Sequence, residues 1–224
     1  MHVDVTSFDS QVLMLREALD FFPRNEVDIF MPNAGILEHP TQISPQDPAG
    51  LTDLTKAPAD ISGRIININL AGVFAGVMLV ARYGMGLHKA PEGGPHPPKA
   101  ITLTASLAGY CGAEGSVEYT ATKFGVRGIL RGFRKQMASL GVRLNAISPF
   151  YVDTPMTSFA MPVLRQAGIP VATVEQVVEA AARLATDNDA WGKLKLFVSV
   201  EDSTYTNRRT IDFCHARRLD RWWR

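Results

Sequence analysis

Cysteine is almost missing from this chain of 224 residues, which holds only Cys111 and Cys214. Two such residues support neither a disulfide framework nor a zinc-ligand spacing. A reducing, cytoplasmic setting is therefore the default expectation. Charge is also sparse and balanced, at 20% of the chain with a formal net charge of +1. That balance excludes a nucleic-acid surface built on bulk charge. The start, MHVDVTSFDS, lacks the charged region and apolar core of a secretory signal. No long apolar run is free of polar groups either. The longest, Ile61 to Leu87, carries Arg64, Asn67, Asn69 and Arg82 and reads as a buried helix rather than a membrane span.

What is present is an ordinary globular balance, 46% hydrophobic, in a length that suits a single domain with a sizeable core. His2–Val5 reads as the tail of a strand, with Thr6 or Ser7 capping a helix. Val12, Leu15, Ala18, Leu19 and Phe22 recur at helical spacing across Gln11–Phe22, and Pro23 stops the run. Val27–Met31 is the next strand, followed by an irregular loop over Ile36–Asp60 and a long helix over Ile61–His88. Ala90–Pro98, rich in proline, reads as a surface insertion. Ala100–Thr104 is a buried strand, Ser116–Leu140 a helix and Val142–Ile147 a strand. Val174–Ala185 is an amphipathic helix capped by Thr173, and Lys195–Val200 is a last strand. A basic, aromatic tail runs from Glu201 to Arg224.

Strands alternating with helices predict an α/β fold with a parallel sheet. Ligands of such sheets bind beyond the carboxyl ends of the strands, and Asn33, Ser106 and Thr154 all follow strand ends. The chemistry concentrates between Ile101 and Lys123. Tyr119 and Lys123 stand four apart on a helix and so share a face. A cation near a phenol favours its phenolate, which lets the phenol trade protons with an alcohol or carbonyl near neutral pH. Ser106, thirteen residues before Tyr119, is placed for a second hydrogen bond to the same substrate oxygen.

In these segments the chain resembles the short-chain dehydrogenase/reductase family, nearest in wording to its prostaglandin-dehydrogenase-like branch. Asn33-Ala34-Gly35 is similar to the family's N-N-A-G element, with Pro32 in place of the first Asn. Ile68-Asn69-Leu70-Ala71-Gly72-Val73-Phe74 resembles the segment of the catalytic asparagine, and Ser106, Tyr119 and Lys123 match the rest of the tetrad. Arg143 to Pro149, followed by Thr154-Pro155-Met156, resembles the strand and loop that hold the nicotinamide.

The resemblance implies a Rossmann-like sheet with helices on both faces, NAD or NADP as cofactor, and a homodimer or homotetramer. Tyr119 would exchange the proton, Lys123 would tune it and hold the ribose, and Ser106 would bond the substrate oxygen. Asn69 would hold a water that links Lys123 to solvent. Asp4 would meet the adenine, Asn33, Ala34 and Gly35 the ribose side, and Thr154 the carboxamide. Phe150 stands where the family carries a glycine, and with Tyr151, Met156, Phe159 and Met161 it predicts an apolar or aromatic small-molecule substrate. Nucleic acid and membrane are not expected as partners.

The family's opening strand and glycine-rich turn, which receive the pyrophosphate on helix amides, have no counterpart here. An N-terminally truncated fold is thus expected, one that forms an oligomer and binds dinucleotide weakly or not at all by itself. Two functions follow from these residues. One is a nicotinamide-dependent oxidoreductase interconverting a secondary alcohol and a ketone. The other is an enzyme without cofactor that reuses the same acid–base set for dehydration, isomerisation or cyclisation.

Overall fold

A computed structural model describes residues 1–37, 63–87 and 98–197. Most of the loop at Ile36–Asp60, all but Pro98 of the insertion at Ala90–Pro98, and the tail from Glu201 lie outside those residues. Among the described residues, four parallel strands form one sheet in the order β1-β2-β3-β4: β1 (Ile29–Phe30), β2 (Lys99–Thr104), β3 (Val142–Pro149) and β4 (Leu194–Phe197). Register is set by pairs such as Phe30 with Ile101 and Thr102 with Asn145. Successive strand residues face opposite ways, and the two faces are covered unequally.

On one face Ile101, Leu103, Leu144 and Ala146 pack against three helices. These are α1 (Phe8–Phe21), α2 (Arg64–Gly84) and α4 (Val117–Ser139). Ser7 caps α1, its side chain accepting the amide of Ser10 at 3.2 Å. The helix α2 is long and apolar enough to cross a membrane by composition, but Val73, Val77, Leu79 and Val80 belong to the core. Two π-helical turns, Asn67–Gly72 and Val80–Gly84, interrupt it; such turns often mark functional sites. Gly72 lets the Asp4–Val5 turn dock there, since a Cβ would lie 2.7 Å from the Val5 carbonyl oxygen.

The other face is covered by α6 (Val174–Thr186) over β2 and β3. Ala180, Ala181 and Leu184 meet Ile147 there. Thr173 caps α6 as expected, within a reciprocal bond pair with Gln176. At its far end Arg143 and Asn145 of β3 donate to the last carbonyls: Arg143 Nη2 to Ala185 at 2.9 Å and Asn145 Nδ2 to Leu184 at 3.3 Å. These polar strand residues satisfy helix-end acceptors that would otherwise lack partners.

Several expectations change. His2–Val5 is not a strand among the described residues: Asp4 turns back, its carboxylate accepting the amide and hydroxyl of Thr6. Three short helices add to the outline: α3 (Ala108–Cys111), the 3-10 turn Pro155–Thr157 and α5 (Met161–Gln166). Each is too short to show a periodicity.

Candidate active site

A cleft of about 870 Å³ opens at the carboxyl ends of the strands, where parallel sheets hold ligands. It brings together Asn33, Ala34 and Gly35 after β1, Ser106 after β2, Phe150 and Thr154 after β3, and Tyr119 and Lys123 of α4. These come from four chain segments that only the fold unites.

The first turns of α4 project Tyr119 and Lys123 along one face. The Lys123 ammonium sits 5.4 Å from the centre of the Tyr119 ring and donates to the Thr104 carbonyl at 2.9 Å. It is 6% exposed, and burial lowers its pKa from 10.5 to about 8. Desolvation penalises the charged form, so this lysine exchanges protons close to neutrality. Ser106 is also buried, its hydroxyl accepting the Ala108 amide at 3.2 Å and lying 3.4 Å from the Pro149 carbonyl. Gly109 allows α3 to pass close to α4, because a Cβ would lie 2.6 Å from the Lys123 carbonyl oxygen. Arg127 stacks over the Tyr110 ring at 3.6 Å and ties the same pair of helices.

Asn69 lies on the first π turn of α2 and is 1% exposed. Its side-chain amide bonds the backbone of Ile36 in both directions, each at 2.8 Å. The group therefore fastens the segment after Asn33-Ala34-Gly35. Thr154 lines the cleft and is also the N-cap of the 3-10 turn, its hydroxyl 3.1 Å from that of Thr157.

The pocket residues divide. Phe150 and Met156 stand in the cleft wall. Tyr151 does not: its ring packs edge-on against that of Phe150, ring centres 4.6 Å apart. Met161 is buried at the start of α5, and Phe159 is exposed outside the cleft. Asp4 is likewise outside the cleft walls, and its bonds to Thr6 hold its carboxyl below the usual range. Thr104 was read only as part of an apolar strand. Its hydroxyl donates to Asn33 Oδ1 at 3.0 Å, and the polar threonines alternating in Ile101-Thr102-Leu103-Thr104 are the one sequence signal for it.

The short chain dehydrogenase family model matches residues 1–162, and the chain belongs to that family. It is 32% identical over 197 residues to 5'-hydroxyaverantin dehydrogenase of Dothistroma septosporum (strain NZE10 / CBS 128990), covering 85% of this chain and 64% of that protein. It is 31% identical over 196 residues to 3beta-hydroxysteroid dehydrogenase 2 of Eggerthella lenta, covering 83% and 67%. The chain thus spans about two thirds or less of the length of these curated relatives. A crystal structure assigned as a short-chain alcohol dehydrogenase from Sinorhizobium meliloti 1021 superposes with a TM-score of 0.67. That alignment, at 23% identity, covers 88% of this chain and 73% of the other, and it shows the same fold.

Proposed function

We propose that this chain carries the proton-transfer half of an oxidoreductase that interconverts a secondary alcohol and a ketone with NAD or NADP. The observation that carries the reading is the meeting of Tyr119, Lys123 and Ser106 in one cleft, with the lysine desolvated beside the phenol. The dehydrogenase activities named for its relatives support it.

The donor set in the cleft suits the nicotinamide riboside half of a dinucleotide. Lys123, Asn33 and Thr154 offer donors for hydroxyls and an amide. Lys123 is the only cation among the described wall residues. When bound, the nicotinamide supplies or accepts the hydride. Tyr119 gives its hydroxyl proton to the substrate oxygen in reduction and takes it back in oxidation. Ser106 donates to the same oxygen and steadies the charge that develops there. The Lys123 cation favours the phenolate and, being near half-protonated at about pH 8, can return the proton.

Phe150 and Met156 in the wall support an apolar or aromatic alcohol over a phosphorylated one. Phe74 and Tyr83 of α2 and Phe124 of α4, large apolar side chains left exposed, support a homo-oligomer through that helix pair. A fluorescence titration of the full chain with NADH and NADPH tests the reading. Saturable quenching by either is expected, at an affinity below that usual for dehydrogenases. No binding of either at millimolar concentration would refute it.

A further inference from the structure

Thr104 closes β2 with two polar groups, each engaged by another residue of the cleft wall. Its carbonyl accepts the Lys123 ammonium at 2.9 Å, and its hydroxyl donates to Asn33 Oδ1 at 3.0 Å. The register of the two strands makes this a cross-strand contact. Phe30 pairs with Ile101, so three residues further on Asn33 lies beside Thr104. Cross-strand neighbours sit within reach of short polar side chains.

An asparagine amide has an acceptor end and a donor end of nearly the same shape. Left alone in a cleft wall, it presents either by rotating. Here the Thr104 hydroxyl meets the oxygen, and in that arrangement the nitrogen end is the one left for a ligand. In that arrangement Asn33 presents a donor, and the Lys123 ammonium, bonded to the same threonine, is another. Two donors held by one residue match a ligand edge made of acceptors, such as the hydroxyl oxygens of a ribose.

We propose that Thr104 is a positioning residue that orients the Asn33 amide as a hydrogen-bond donor toward the ribose of the dinucleotide. The inference rests on the dinucleotide reading above. It assigns Thr104 no contact with substrate or cofactor. Its hydroxyl acts through Asn33, and its backbone carbonyl steadies Lys123 whatever side chain the position carries.

Thr104→Val keeps the shape and the carbonyl while removing the hydroxyl, and Thr104→Ser keeps the hydroxyl. NADH dissociation constants of the full chain, read by fluorescence, should rise about three- to tenfold in Thr104→Val and stay within about twofold in Thr104→Ser. Adding Thr104→Val to an Asn33→Ala chain should weaken binding no further, since the hydroxyl then has nothing to orient. The pH–rate profile of Thr104→Val should keep its inflections because the Lys123 contact is intact. Wild-type affinity in Thr104→Val, or an equal loss with and without Asn33, would overturn the role of Thr104 alone. A wild-type chain that binds neither NADH nor NADPH would overturn the dinucleotide reading and this inference with it.

Discussion

Two buried lysines stand at opposite ends of β2, and their surroundings differ in kind. Lys99 opens the strand with its side chain fully buried. Its ammonium lies 2.8 Å from both Glu26 Oε2 and Asp28 Oδ1. Lys123 stands beside the residue that closes the strand and meets a neutral carbonyl and an aromatic ring. Two carboxylates give a buried cation ion pairs, while a cation beside a carbonyl alone is under pressure to lose its charge. The first arrangement holds strands together; the second suits proton exchange. Residue type and burial are the same in both, so the difference lies in the partners.

The largest expected effect separates the two ends by activity. Tyr119→Phe should lower kcat by about two to four orders of magnitude with little change in unfolding midpoint, because the ring is kept. Near-full turnover would remove the reacting site from the Lys123 end.

Lys99→Met should show the converse. It leaves Glu26, with a side chain only 10% exposed, and Asp28, 42% exposed, without their common cation. A loss of about 3 kcal/mol in denaturant unfolding is expected, reduced to the extent that water reaches Asp28. Turnover per folded molecule should change little. Unaltered stability would make the ion cluster a bystander and dissolve the contrast.

The smallest effect tests the charge state of Lys123. A lysine whose pKa falls on folding disfavours the folded chain while it is protonated. That cost is fully present below about pH 8 and fades as pH rises toward 10.5. Lys123→Met should therefore be more stable than the parent at about pH 7, by about 2 kcal/mol once the lost carbonyl bond is subtracted. The gap should close by about pH 10. A constant difference across that range would mean that burial does not depress this lysine.

Much of the outline was legible because its signals are local. The apolar spacing of α1, the cap at Thr173 and the turn-apart placing of Tyr119 and Lys123 need only nearby residues. The apolar stretch in β2 and β3 marked buried strands for the same reason. Boundaries were less legible: Val27–Met31 shortened to Ile29–Phe30, and the helix read over Gln11–Phe22 begins at Phe8. The pocket was half legible. Phe150 and Met156 reached the cleft, while Tyr151 and Met161 turned elsewhere because side-chain direction depends on local backbone geometry that apolar composition does not encode.

By itself the amino-acid order determined that strands alternate with helices and that a phenol, an ammonium and a serine hydroxyl accompany one strand–turn–helix unit. Those features follow from periodicity and from spacings of a few residues. Tertiary structure alone decided the partners. Lys99 finds Glu26 across 73 positions, Asn69 meets the backbone of Ile36 across 33, and Thr104 meets Asn33 across 71. Hydrogen bonds between residues so far apart are set by strand order and register, which bring distant segments within about 3 Å only after the sheet has formed.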